Sequence, residues 1–240
     1  MSHSPTSEPE SAFVCDCEEW MREACAGKPF YRELEDKRYC VLHCPGKEKS
    51  ADFEPAFQRK LADQDFDFRG VWFPDKLLFE KVEFRTKADF RSATFSAEAN
   101  FIHVTFSAEA HFSSATFSAE AHFNSATFSA EAHFIYGTFS READFIEAIF
   151  NALVDFSYVT FSVVADFSSA TFAEADFNSA TFADHVGFEG DEKHQVFTDT
   201  FRLDLQFARI EKPDRVSFHT LSLRPHSFVN VDPRKFDFTM

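Results

Sequence analysis

The chain has 240 residues and carries 40 acidic against 24 basic residues, a formal charge of -16. That excess argues against nonspecific binding to nucleic acid or to an anionic membrane, and it leaves a basic partner or mimicry of a polyanion open. Phenylalanine occurs 35 times against four tyrosines and two tryptophans, so one kind of apolar slot is being filled repeatedly.

In chain order, the opening MSHSPTSEPESAFV is rich in Ser, Pro and Glu, and residues 1–14 are expected to be disordered. It lacks a basic stretch followed by an apolar one, and nowhere is there a run of about 18 apolar residues, so a soluble, unsecreted, cytoplasmic protein is expected. Residues 15–46 hold all five cysteines, at 15, 17, 25, 40 and 44. An odd, clustered set in an unsecreted chain points to metal rather than disulfides. Residues 47–67 form a charged linker in which Phe53, Phe57 and Leu61 recur every four residues, and this spacing predicts a short amphipathic helix over 54–64.

From Phe68 to Phe172 the phenylalanines are separated alternately by five and six residues, without an error; steps of five reach Phe177 and Phe182, and one of six reaches Phe188. Two residues before nearly every one stands Ala, Val or Gly. On an α-helix with an eleven-residue repeat, the two Phe of each repeat would lie about 131° apart and the apolar residues would ring the helix on all sides. A period of two fits better: in Ala-Thr-Phe the Ala and Phe point one way and the Thr the other, and the next residues turn a corner. Short strands with inward Phe describe a solenoid around a Phe-filled axis.

The phrases ADFRSATF, ADFSSATF and ADFNSATF resemble tandem pentapeptide repeats over residues 68–188. The resemblance implies an all-β, right-handed quadrilateral β-helix with the Phe stacked inside. Steps of 5, 6, 5 and 6 give about 22 residues per coil, with a bulge at two of the four corners. Near six coils about 4.8 Å apart make a shaft of roughly 25 to 30 Å. Both ends of such a stack expose Phe and unpaired strand edges, so the 54–64 helix is expected to cap the first coil. Residues 189–240 break the spacing at EGDEKHQVFTDTF, a candidate loop, and are expected to form irregular last coils and a closing cap. An end left uncovered would allow a homodimer.

The strongest candidate site is Cys17, Cys25, Cys40 and His43, with Cys and His on one tight turn in YCVLH. Three thiolates and an imidazole suit a structural, tetrahedral zinc, and a thirty-residue segment without a core would need one. Cys15 could replace Cys17, and Cys44 could replace either. The segment also resembles short zinc-binding segments, ending in Tyr-Cys-x-x-His, that precede pentapeptide repeats in some bacterial proteins.

A spacing of 22 separates Glu98, Glu120 and Glu142 from Glu109 and Glu131, two carboxylate rows. It also aligns Asp89, His111, His133 and Asp155 in one column, and Asn100, His122, Asp144 and Asp166 in another. Some pentapeptide-repeat proteins that protect DNA gyrase are thought to imitate DNA with such rows; a solvated rim that keeps a Phe-rich rod apart from its neighbours is the plainer account. A convex rod offers no pocket for a nucleophile and its base. The sequence therefore indicates a non-enzymatic scaffold for a protein partner, without direct nucleic-acid or membrane binding, and a topoisomerase-binding DNA mimic is the alternative.

Overall fold

The structure, a computed structural model, describes residues 13–79, 82–190, 197–219, 234 and 237–239. The repeats fold as a four-sided β-solenoid. One lap consists of the two-residue strands Ala88–Asp89, Thr94–Phe95, Ala99–Asn100 and Thr105–Phe106. Each pairs in parallel with the strand 22 residues later: Ala88 with Ala110, Thr94 with Thr116, Ala99 with Ala121, and Thr105 with Thr127. In such short strands the alternation of side chains does all the sorting. The small residue and the Phe are buried and the residue between them faces out, because a strand points successive side chains to opposite sides.

The interior is four columns of stacked phenylalanine. Phe112 lies 4.8 Å from Phe90 and 4.9 Å from Phe134, with nearly parallel rings, as the 22-residue lap requires. Neighbouring columns meet edge to face, as Phe112 does with Phe123 at 5.6 Å. This arrangement satisfies the ring quadrupoles in both directions. Each buried Phe contributes about 1.5 to 3 kcal/mol. Small residues fill the slot between rings, mostly Ala with Val at 104, 154 and 159, because a close-packed column leaves little room beside it.

The two step lengths correspond to two kinds of corner. At every five-residue step in the regular coils the Phe carbonyl accepts from the N–H three residues on, as from Ala93 to Phe90 at 3.0 Å, and the third residue of the turn has a positive φ. This is a type II turn, which favours Gly at that place. Gly70 supplies it in the first coil, but the same corner then carries Ser92, Ser114, Tyr136, Tyr158, Ser179 and Phe207, all with φ between 55° and 59°. Replacing Tyr158 by Gly removes the left-handed strain of an L-residue while forfeiting a ring stack, so Tyr158→Gly is expected to range from neutral to about 1 kcal/mol stabilising in denaturant melts. A loss above about 1 kcal/mol would show that the tyrosine supports the fold. In the central coils the six-residue steps take the extra residue at Ser-Ala-Glu, from residues 96–98 to 129–131.

The solenoid has four sides but three sheets, because the long strand Ile149–Asp155 bends round a corner and joins the fourth side to the first. The shortened step to Phe177 changes the register by one: Ile149 pairs with Thr171, but Val154 pairs with Ala175. Beyond Phe188 the chain rejoins the stack. Phe197–Asp204 is a strand paired with Thr171–Asp176, so the expected loop does not extend that far; residues 191–196 lie outside the described residues. Val216–His219 and Asp237–Thr239 add two further strands to the third side. Of the expected closing cap, 220–233, 235–236 and 240 lie outside the described residues.

The cap on the first coil is helix α1, Ser50–Ala62. Its apolar face sets Phe53 on Phe73 at 5.7 Å, and Phe57 on Phe68, Phe73 and Phe79 at 5.7 to 5.8 Å. It begins four residues before the expected start and ends two before the expected stop. The start is displaced because Pro55, which would suit a first turn, is instead carried inside the helix by the 3-10 turn Lys47–Lys49 that precedes it. The end is fixed by a Schellman closure: Asp65 N–H bonds the Lys60 carbonyl at 2.9 Å and Gln64, at φ 53°, takes the place glycine usually holds.

Candidate metal centre

Apart from its cysteines, the apolar residues that 15–46 buries are Met21, Ala24 and Leu42, and its order comes from three short devices. Arg32–Leu34 and Lys37–Tyr39 form a hairpin through Glu35 and Asp36, both at positive φ as a type I′ turn demands. The 3-10 helix Glu19–Cys25 brings Cys25 back towards Cys17, and the Cys40–Cys44 turn, closed by Cys44 N–H to the Cys40 carbonyl at 3.0 Å, turns His43 inward. Phe13, within the stretch expected to be disordered, packs edge-on to Phe30 at 5.5 Å with the Arg38 guanidinium over its ring; residues 1–12 lie outside the described residues.

These devices converge on one point. Cys15, Cys17, Cys25 and His43 place their ligand atoms within 4.8 Å of one another. Cys17 Sγ to Cys25 Sγ is 3.6 Å, Cys15 Sγ to His43 Nδ1 is 3.8 Å and Cys40 Sγ to His43 Nδ1 is 3.6 Å. A tetrahedral zinc with Zn–S near 2.3 Å and Zn–N near 2.0 Å has ligand-to-ligand edges of roughly 3.5 to 3.8 Å. The donor set fits such an ion in chemistry and in size. Of the residues expected from the sequence, Cys17, Cys25 and His43 fall in this group, Cys15 joins it, and Cys40 stands at a ligand edge from His43. Cys44 faces the Pro45 carbonyl at 3.5 Å instead. The five cysteines are all free thiols.

His43 is oriented from the solenoid side. Its Nε2 lies 2.7 Å from the Arg69 carbonyl, which holds that nitrogen as the donor and leaves Nδ1 to face the sulfurs. Arg69 is itself anchored by Asp67 at 2.7 Å and by the Trp20 carbonyl at 2.6 Å. The backbone N–H of Trp72 bonds the Leu42 carbonyl at 3.0 Å, so the Cys-rich segment covers part of the first coil's open edge. Lys49, fully buried, donates to the Val41 and Leu42 carbonyls at 2.7 and 2.9 Å and lies over the Phe53 ring. Burial pulls its ammonium down to about 7. Cluster, helix and first coil are therefore one packed unit.

In the metal-free cluster the protons are shared unevenly. Hydrogen bonds from Cys25 and Cys40 hold the Cys15 thiol far below its ordinary value, and those to Cys15 and Cys40 push Cys25 far above. Burial alone would lower His43, but hydrogen bonds to Cys15, Cys17 and Cys40 outweigh it and hold the imidazole up at about 12. An ion at Nδ1 must displace that proton as well as those of the thiols, so metal affinity falls with pH. Between about pH 7.5 and about 6.5 it is expected to drop at least tenfold, measured by competition with a chromophoric chelator. A pH-independent affinity would contradict these ligands.

The other candidates are held on the outside of the solenoid. His111 and His133 stack at 4.7 Å in one column, each beside its Glu, Glu109 at 3.1 Å and Glu131 at 3.5 Å. His122 pairs with Asp144 at 2.7 Å in the other column, and Glu98 pairs with Lys76 at 2.8 Å. Among the described residues, only the Cys/His group gathers three or more ligand atoms closely enough for a metal.

Among comparisons with known proteins, residues 79–127 match the family model described as pentapeptide repeats, in nine copies. A search of curated proteins found no match.

Proposed function

We infer, from the way its coils distribute their side chains and from the match of residues 79–127 to pentapeptide repeats, that the chain is a non-catalytic scaffold for a protein partner. One observation carries this reading: the inside of the solenoid is sealed with Phe and Ala, while Thr, Asp, His and Glu are set out in register on flat sides, one coil apart. Such sides complement an extended protein surface and offer no enclosed place for a reaction.

The Cys/His cluster serves this role as a structural zinc site. Bound zinc would cross-link a segment that, its cysteines aside, buries only Met21, Ala24 and Leu42, and fix it over the first coil. Cys17, Cys25 and His43 take three positions, and Cys15 and Cys40 compete for the fourth. The test of the scaffold reading is affinity capture from the native host with reciprocal tagging: one protein retained in both directions supports it, and retention of nothing above the empty matrix contradicts it.

A second reading, an acidic DNA mimic, draws on the 13 acids and two bases between residues 88 and 188. Inhibition of gyrase supercoiling by the purified chain would favour it, and no effect at micromolar concentration would remove it. Among the described residues no helix is long and apolar enough to cross a membrane.

A further inference from the structure

A groove of about 210 Å³ runs between the Cys-rich segment and α1, and neither a cysteine nor His43 lines it. On the helix side it takes Asp52, Ala56 and Arg59, which at spacings of four and three share one face, beside the stripe of Phe53 and Phe57 that α1 turns onto the first coil. On the other side it takes the stretch from Lys28 to Tyr31, with Val41. Both walls are held by the chain's own contacts. Lys28 N–H bonds the Cys25 carbonyl at 3.0 Å, and Tyr31 N–H bonds the Tyr39 carbonyl at 2.9 Å. The Phe30 ring is fixed by Phe13 edge-on and by the Arg38 guanidinium 5.1 Å over its centroid, and Val41 is anchored through its carbonyl to Lys49 Nζ at 2.7 Å.

The lining is apolar at Pro29, Phe30, Val41 and Ala56. Its volume exceeds the roughly 150 Å³ that holds a benzene molecule in an apolar protein cavity, so there is room for one ring and a short chain. The charges around it are uneven. Lys28 and Arg59 both line the groove, and neither has an ion pair among the described residues, although the chain carries 40 acids against 24 bases. The one carboxylate in the lining, Asp52, is engaged by Tyr31: burial and then a hydrogen bond to Asp52 raise that phenol, which stays protonated as the donor. The groove therefore combines an apolar lining with two cations that lack a counter-charge, and an anion with an apolar body satisfies both.

We propose that this groove binds a small arylalkanoate, a monocarboxylate whose ring packs on Pro29, Phe30, Val41 and Ala56 and whose carboxylate is met by Lys28 and Arg59. Arg59 can fork to both carboxylate oxygens, and Lys28 adds a point charge. An amine with the same apolar body meets two like charges and is disfavoured. Because such a ligand touches both the Cys-rich segment and α1, it ties the segment to the cap and raises the stability of both. The inference does not depend on the scaffold reading, since the groove lies off the flat sides of the solenoid.

Titration of 3-phenylpropionate into the full chain, purified without chelator and followed by the NMR shifts of the Val41 and Ala56 methyl groups, tests it. The comparator is 3-phenylpropylamine, which has the same body and the opposite charge. The acid should give saturable shifts, and the amine should bind several-fold more weakly. Lys28→Gln/Arg59→Gln should weaken the acid about tenfold and erase its advantage over the amine. Ala56→Leu, at a partly buried helix position that tolerates leucine, should fill the groove and weaken the acid at least tenfold while keeping the wild-type melting curve. No saturation by the acid up to about 10 mM overturns the proposal, as does an amine bound as tightly as the acid. The comparison of acid with amine uses the wild type alone, so it decides the matter even where a variant melts early. Unchanged binding of the acid by folded variants also overturns it. Loss of a captured host protein by Ala56→Leu, without binding of the acid to the wild type, would assign the groove to a protein contact and overturn it too, leaving the scaffold reading in place.

Discussion

Phe123→Ala is expected to destabilise the protein by about 3 to 5 kcal/mol, measured by denaturant titration of the full chain. Phe123 is fully buried, stacked on Phe101 at 4.7 Å and on Phe145 at 4.9 Å, and meets Phe112 and Phe134 edge to face, both at 5.6 Å. Truncation removes a ring from the middle of a column, where parallel strands one coil above and below cannot close the gap without losing their own hydrogen bonds. The damage should also be local in origin, because each coil contacts only its neighbours. Hydrogen exchange should therefore rise first around coils 101–145 and less at the capped end. The control is Ile149→Thr: Ile149 lies in the Thr105 and Thr127 column and is partly exposed, so this change should stay within about 0.5 kcal/mol. A Phe123→Ala loss under about 1 kcal/mol would contradict a close-packed Phe axis.

Loss of the proposed zinc should have the second large effect. Cys25→Ser or chelation is expected to release the ion and disorder residues 15–46, because a structural zinc supplies on the order of 10 kcal/mol to small segments of this kind. Loss of the segment removes the Leu42 carbonyl from Trp72, the Arg69 carbonyl's partner His43, and the carbonyls that hold Lys49. The first coil and α1 should then fray, while coils beyond about residue 100 stay folded, a difference that limited proteolysis would read directly. Cys15→Ser and Cys40→Ser should each keep the metal with reduced affinity, and the double variant should lose it. A Cys25→Ser chain that still holds a full equivalent would contradict the assigned centre.

The solenoid was legible in the sequence because a strict repeat states the same local instruction more than twenty times; the resemblance to pentapeptide repeats implied the four-sided lap, and the alternation of five and six marks its two kinds of corner. Given four sides, the stacking of Phe112 on Phe134 and the register of His111 with His133 follow from the 22-residue lap. Elements used once were harder to read. The helix start was obscured because Pro55 reads as a first-turn residue, and its end because the Schellman closure uses Gln64 without a glycine. The hairpin at Glu35 and Asp36 carries no Asn-Gly signal, although both residues adopt the left-handed region. The metal cluster was legible as a composition, three sulfurs and an imidazole, but not as a set. Spacing cannot show that Cys15 and Cys40 approach the same His43 nitrogen, since that depends on the hairpin and on the Arg69 carbonyl that turns the ring. Tyr136 and Tyr158 stand far apart in the sequence and become stacking partners only once the lap brings the two together.

The most direct test of the account is zinc K-edge absorption on protein purified without chelator, together with its metal content. One equivalent of zinc per chain, with a first shell of three sulfurs near 2.3 Å and one nitrogen near 2.0 Å, is the predicted result. Less than about half an equivalent, or a shell of oxygen and nitrogen alone, would contradict a metal centre that joins the Cys-rich segment to the first coil.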